Sequence, residues 1–353
     1  MLHLPIPRSL LSCLAVLPGL IASSGCATRN AQLAEPISQV VSAREYGFVR
    51  PANQGENTKS ASRTAQRHAS NHNLWHRLQT DQPLGIASHP RIDSAVAQLK
   101  RNPRYLEQLA ARAKPYLHLI VAELEDNGLP AELALLPEIE SRYNPRAVSP
   151  MRAAGLWQFM PATGQAMGLE QNASYDGRHD VIASTRSAIA YLKQLNQQFD
   201  GDWALTLAAY NAGPARVRGA QRANQERDQP TDYWSLDLPA ETRAYVPKLL
   251  AVAHLVSQPE HYNLTLPAVP NRPTVELVET NATLHFDELA EICHVPVATL
   301  RKLNPGFKGD RLAQNQPYTL VLPVGSRRHL LAHLRKTEQP ALAGRARSRP
   351  SDS

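Results

Sequence analysis

Cysteine is scarce in this chain of 353 residues: three in all, at positions 13, 26 and 293. That number cannot build a disulfide framework. Aromatic residues are few, at 6%. Charge is lacking where a folded surface is expected. Residues 74–325 carry 24 basic and 26 acidic side chains, a net −2. The formal charge of +7 comes from the ends: residues 1–73 have seven basic against three acidic side chains, and residues 326–353 seven against two. A fold that binds a polyanion carries its positive charge on the folded surface, so a nucleic-acid partner is not expected. What is present is an ordinary globular share of hydrophobic residues, 42%, which excludes wholesale disorder, and 28 prolines, which point to linkers.

The N-terminus reads MLHLPIPRSLLSCLAVLPGLIASSGC. Arg8 precedes an apolar run, Ser9 to Ala22, that is shorter than the roughly 20 residues a spanning helix needs. Small residues follow, as in a secretory signal. Gly25-Cys26 at its end resembles a bacterial lipoprotein signal, which implies cleavage after residue 25 and a lipid chain on Cys26. Ser23 stands where such signals carry Leu, and an ordinary cleaved signal is the alternative. Ala27 after the cysteine, in place of Asp, implies the outer membrane of a Gram-negative bacterium and a periplasmic protein. A lipid chain gives membrane affinity without a spanning helix. Cys293, between Ile292 and Val295, reads as a buried small hydrophobe.

The chain then divides by composition. Residues 26–73 are polar and aperiodic, a tether. Order begins near Leu74-Trp75, and residues 74–130 form a helical extension. Tyr105, Leu109, Tyr116, Ile120 and Leu124 recur at helical spacing, with Pro115 splitting the stretch and Gly128-Pro130 ending it. Helices are expected near 131–141, 182–199, 203–212 and 241–257. LTLPAVPNRP, within 264–273, reads as an interdomain linker. Residues 274–325 read strand, helix, helix, strand. The end, 326–353, reads as a basic disordered tail.

AELALLPEIESRYNP, residues 131–145, holds three glutamates in different helical phases. With Glu140 at zero and about 100° per residue, Leu133 falls at about +20°, Leu136 at about −40° and Ile139 at about −100°. Glu140 thus lies inside the apolar stripe. Glu138 falls at roughly 160°, beside Ala131 and Ala134 on the opposite face. Glu132 lies about two turns away. Loss of hydration raises the pKa of a carboxyl and fits it to act as a general acid near neutrality. The same position suits a buried glutamate paired with Arg142 or Arg146, and position alone leaves the two open.

Four ordered blocks bear on that choice. Glu140-Ser141 with Tyr143-Asn144-Pro145 is followed by AAGLWQFMPATG (153–164), AAYNAGPARV (208–217) and ETRAYVPKLLA (241–251). Together with NLWHRL, HPRID and RNPRYLEQ upstream, they resemble soluble-type lytic transglycosylases, and among them the membrane-bound murein transglycosylase D group. The resemblance covers roughly residues 74–325. It implies a mainly α, lysozyme-like catalytic domain, here 131–263, behind the helical extension. It also implies roles. The acid/base falls on Glu140, the active-site serine on Ser149, the glutamine of the G-L-x-Q motif on Gln158, with Met160 two residues on. The Tyr-Asn pair falls on Tyr210 and Asn211, and the late tyrosine on Tyr245. Side-chain chemistry agrees: Gly155 permits a tight turn before Gln158, and Gln158 and Asn211 offer donors and acceptors to a sugar's N-acetyl and hydroxyl groups. Tyr245 is able to hydrogen-bond the carboxyl and orient it.

Most glycosidases need two carboxylates, and no second acid has a clear place here: Asp176, Asp180, Asp200 and Asp202 lie in loop-like or polar surroundings. The resemblance implies that one Glu suffices, as acid and then as base, on peptidoglycan glycan strands, leaving 1,6-anhydromuramoyl ends. A goose-type lysozyme-like hydrolase and a non-catalytic wall-binding lipoprotein are the alternatives. No metal or cofactor is implied; His72 and His76, four apart, lie outside the motif blocks. Residues 274–325 resemble a degenerate LysM module of βααβ form, through Leu289-Ala290, Leu303-Asn304-Pro305-Gly306 and Asp310-Arg311-Leu312. Asn281-Ala282-Thr283-Leu284 replaces the usual Gly-Asp-Thr-Leu opening. Glycan binding and a structural cap both remain open for it.

Overall fold

The computed structural model describes residues 72–79, 83–312 and 317–346, with side chains described to residue 336 in the last helix. The expected signal (1–25), Cys26 and the tether as far as residue 71 lie outside the described residues, as do 347–353.

The larger part is helical. Proline and capping side chains set its breaks. His89 Nδ1 accepts from Arg91 N at 3.1 Å and starts α1, Pro90–Leu99. The next helical stretch splits into α2, Tyr105–Ala113, and α3, Leu117–Asp126, on either side of Pro115. Proline has no N–H to give the ladder, so the split falls there. A 3-10 turn, Ala131–Leu135, runs into the short α4, Leu136–Ser141. After α5, Pro161–Ala166, Asp180 caps α6, Val181–Gln198, by accepting from Ala183 N at 2.8 Å. Asp202 caps α7, Trp203–Ala212, in the same way through Leu205 N. Residues Ala204 to Ala209 of α7 are all buried, as expected of a helix wrapped by neighbours, here α6, α8 (Pro214–Gln225) and α9 (Ala240–Ser257). Helix α9 also packs on α1 and α4.

One apolar cluster runs from Leu74 to Val269. The stretch 74–130 therefore shares the core of the helical domain rather than extending from it. The expected linker also behaves differently. Leu74 N donates to Val269 O at 2.7 Å, Trp75 Nε1 donates to Pro267 O at 2.9 Å, and Val269 is buried. Residues 264–273 are thus seated on the turn Leu74–Arg77. Burying an apolar side chain of this size is worth about 2 kcal/mol, enough to override the flexibility that prolines and polar residues imply.

The C-terminal part is small. Strand β1, Val275–Thr280, pairs antiparallel with β4, Tyr318–Pro323, in the register Val275↔Pro323 to Thr280↔Tyr318. Between them lie β2 (Leu284–His285), α10 (Phe286–Cys293), α11 (Val297–Leu303) and β3 (Arg311–Leu312), with β2 paired to β3. This is the expected βααβ order with one short extra ladder. Cys293 is buried and free, and burial pushes its thiol up to about 11.

The expected disordered tail needs correction. Arg327–Ala346 forms a helix, α12. Leu330 is fully buried against the small domain, with Leu331 and Leu334 packed beside it. Glu276 Oε2 accepts from Gly325 N at 2.9 Å and Arg327 N at 3.0 Å, placing a carboxylate at the helix start. The leucines supply an apolar face that the low-complexity end of the sequence obscured. Among the described residues no helix is long and apolar enough to cross a membrane.

Candidate active site

Glu140 sits in the last turn of α4 and is only partly exposed. Tyr245, one face of α9, donates its hydroxyl to Glu140 Oε1 in a short hydrogen bond. Desolvation pushes the Glu140 carboxyl up to about 7; the Tyr245 bond pulls it down and the charge of Glu241 pushes it further up. A carboxyl half-protonated near neutrality can give up a proton and take it back. Tyr245 itself is raised well above the usual phenol value, first by burial and then by the neighbouring carboxylate, so it remains a donor.

Glu138 departs from the helical-wheel expectation. It is 5% exposed, not on a solvent face, and Oε1 accepts from Arg112 Nη2 at 2.6 Å. Two causes act. Residues 131–135 are 3-10 rather than α, which shifts the phase against Ala131 and Ala134, and the side of α4 that carries Glu138 is packed, while Ile139, Glu140 and Ser141 are the partly exposed ones. The arginine-paired buried glutamate is thus Glu138, while Arg146 donates instead to Arg301 O at 2.8 Å.

A loop, 147–159, is folded beside Glu140 and fastened to three helices. Ser141 Oγ, next to Glu140, donates to Leu156 O at 2.9 Å. Tyr210 OH on α7 donates to Trp157 O at 2.9 Å. Trp157 Nε1 donates to Thr185 Oγ1 on α6 at 2.9 Å. Arg142, Tyr143, Arg152 and Gln158 all have positive φ, a cluster of local backbone strain around the site. Gly155, with φ +85, cannot be replaced: an added Cβ would stand 1.7 Å from Arg178 O.

The expected residues take distinct places. Tyr245 alone among them bonds Glu140. Tyr210 lies close enough for the Glu140 charge to raise its pKa, after burial, yet its hydroxyl is used on the loop. Gln158 Nε2 donates to Gly155 O at 2.9 Å and to Ala147 O at 3.4 Å, within its own loop. Ser149 Oγ accepts from Ala153 N at 3.0 Å and closes the turn 149–153. Met160 is exposed and precedes α5; Asn211 is partly exposed near the end of α7. Ser149, Met160 and Asn211 make no hydrogen bond to Glu140 among the described residues.

Sequence reasoning missed Ser141, Thr185 and Glu241. Glu241 stands one turn before Tyr245 on α9, exposed, and its charge is felt by Glu140. Its spacing of four from Tyr245 was readable as a shared helix face. Thr185 carried no such signal, because only folding brings α6 under Trp157. Among the described residues no group of three or more His, Cys, Asp or Glu is gathered as a metal site.

The features together describe a mainly helical domain in which the desolvated Glu140 carboxyl, bonded by Tyr245, lies beside a strained loop, followed by a small βααβ domain. Comparison with known proteins agrees with that class. The transglycosylase SLT domain family matches residues 118–232, and the family "Lytic transglycosylase MltD, LysM-like domain" matches 274–338, a span that takes in the start of α12. The chain is 38% identical over 250 residues to membrane-bound lytic murein transglycosylase D of Escherichia coli (strain K12), covering 71% of this chain and 55% of that protein. It is 36% identical over 187 residues to a protein of Alteromonas sp. (strain M-1) named for tributyltin chloride resistance, covering 52% of this chain and 88% of that one. Soluble lytic murein transglycosylase of E. coli K12 is 33% identical over 116 residues, 32% of this chain and 18% of that one. The chain belongs to the family of murein transglycosylase D-like proteins, which join an SLT domain to a LysM-like domain. It spans about half the length of the transglycosylase D relatives it matches.

Proposed function

We propose that the chain is a peptidoglycan lytic transglycosylase, cleaving the β-1,4 bond between N-acetylmuramic acid and N-acetylglucosamine without water. The observation that carries the reading is the Glu140 carboxyl, raised to about 7 and held by Tyr245. In this mechanism protonated Glu140 gives its proton to the bridging oxygen, and the C1–O bond breaks as the N-acetylglucosamine end leaves. Positive charge develops at muramoyl C1. The resulting Glu140 carboxylate then removes the proton from the sugar's own C6 hydroxyl, whose oxygen closes on C1 as a 1,6-anhydro ring. Glu140 ends protonated, as it began. The second step is intramolecular, so it gains from proximity, and no second carboxylate is needed to activate water. In this reading Gln158 and Asn211 meet the sugar's polar groups, Met160 lines the exposed lip, Tyr210 and Ser149 hold the loop, and Tyr245 orients the acid.

Digestion of purified peptidoglycan tests it. The wild-type chain should release muropeptides with anhydro ends, lighter by one water than hydrolysis products in mass spectrometry, and Glu140→Gln should release none. Full-mass reducing ends would instead identify a lysozyme-like hydrolase, and retained activity in the Gln variant would remove Glu140 from the chemistry.

The proposed setting is the Gram-negative periplasm, with glycan strands as partner, residues 1–25 as signal, and Cys26 as the lipid anchor to the outer membrane. Labelled palmitate should be incorporated by the wild type and lost in Cys26→Ala; equal labelling refutes the anchor.

A further inference from the structure

The C-terminal domain is connected to the loop that flanks Glu140 by two routes, the first through a short segment of the catalytic domain, residues 174–178. Tyr175 lies upstream in the SLT-matching span, yet its ring is buried in the core of the small domain. It packs on Phe307 with ring centroids 5.1 Å apart, and Phe307 in turn meets Phe286 and Tyr318. The two backbones pair there: Asp176 N donates to Gly306 O, and Lys308 N to Ser174 O, both at 2.8 Å. Gly306 leaves no space, since an added Cβ would stand 2.8 Å from the Tyr175 ring and 3.3 Å from Asp176 O.

Asp176 passes this contact on. Its Oδ1 and Oδ2 accept from Arg178 Nε at 3.0 Å and Nη2 at 2.8 Å, a two-pronged pair that fixes the guanidinium plane. The remaining nitrogen, Nη1, donates to Arg152 O at 2.8 Å and Phe159 O at 3.3 Å. Those carbonyls bracket the Gly155–Gln158 turn, and Arg178 O is the atom against which Gly155 is pressed. A second route runs through α6. Ile182 packs with Leu303 and Val321 of the small domain, and Asp180, which caps α6, accepts from Tyr175 OH at 2.8 Å. Helix α6 supplies Thr185 to Trp157.

We propose that Arg178 is a positioning residue for the Gln158 loop and that the LysM-like domain, docked through Phe307 and Gly306, holds it in place, so that the domain sets turnover as well as any wall attachment. The proposal rests on the glycan-cleaving reading above. A domain that served only to tether the enzyme to the wall would need no buried aromatic joint with the catalytic domain. Loosening the joint frees Asp176, then Arg178, then the two carbonyls. Misplacement by about 1 Å at such a distance costs up to about a hundredfold in rate.

The test uses the full chain and soluble, uncrosslinked glycan strands, for which wall retention is irrelevant. Anhydro-ended products are counted by mass spectrometry to give kcat and KM, well below the unfolding temperature. Phe307→Ala, Gly306→Val and Arg178→Lys should each lose about tenfold or more in kcat. Phe307→Leu, which keeps the apolar contact, should recover most of it. Hydrogen exchange gives a reading independent of activity: the Gly155 and Phe159 amides should exchange faster in Phe307→Ala, and protection equal to wild type refutes the proposal even where another variant fails to fold. Wild-type kcat in the joint variants, with only retention on insoluble wall lost, refutes it equally. A wild-type chain that leaves the strands uncut refutes the glycan-cleaving reading itself, and this proposal with it.

Discussion

Replacing Glu140 with Gln should make the folded protein more stable at alkaline pH even as it removes the acid. The ordinary carboxyl value is 4.5, and burial raises Glu140 to about 7 in the native state. Between those values the native protein holds a proton that the unfolded chain has released, so stability falls as pH rises through the window. Below 4.5 both states are protonated and nothing is lost; above about 7 the whole penalty applies. The gap, at about 1.4 kcal/mol per pH unit, amounts to about 3 kcal/mol. Gln is close in shape, accepts from Tyr245 through its amide oxygen, and carries no charge to desolvate. Urea unfolding of wild type and Glu140→Gln at pH 4, 5, 6, 7 and 8 measures the difference directly. The Gln variant should gain on wild type across the series by about 3 kcal/mol, with most of the gain between pH 4.5 and 7. Such a trade of stability for a poised acid is common at active sites. A difference that stays flat with pH would falsify the desolvation of Glu140, and with it the physical basis for its role as an acid.

Tyr245→Phe removes the hydrogen bond that favours the charged form of Glu140, so the carboxyl should hold its proton to higher pH. The alkaline limb of the pH–rate profile should then move up by about one pH unit, with lower turnover; an unmoved limb excludes Tyr245 from setting the acid. Arg112→Ala strands the buried Glu138 and should cost about 3 kcal/mol in urea unfolding at pH 7. Glu138 is already raised by burial, and losing Arg112 raises it further, so the deficit should shrink as the solution is acidified and Glu138 is neutralised. Adding Glu138→Met should recover most of the loss, and a double variant as unstable as Arg112→Ala would show that packing, not charge, was removed.

The sequence by itself determined the elements whose causes are local. Pro115 split α2 from α3, Asp180 and Asp202 opened their helices, and the strand–helix–helix–strand order of the small domain followed from short periodic runs. The four motif blocks singled out Glu140 and Tyr245 although 105 residues separate them. Tertiary structure decided what depends on neighbours far along the chain. A helical wheel puts solvent opposite the apolar stripe, but in α4 that side is packed, so Glu138 is buried and paired while the partly exposed Glu140 keeps the tyrosine. Residues 264–273 look like a linker in composition but gain a partner in Trp75, and the leucines of α12 find the small domain's core. The link from Phe307 through Asp176 and Arg178 to the Gln158 loop has no period or motif: the Asp176–Arg178 pair is local, but the contacts at either end of it, to Gly306 and Phe307 and to Arg152 and Phe159, join segments that only the folded chain brings together.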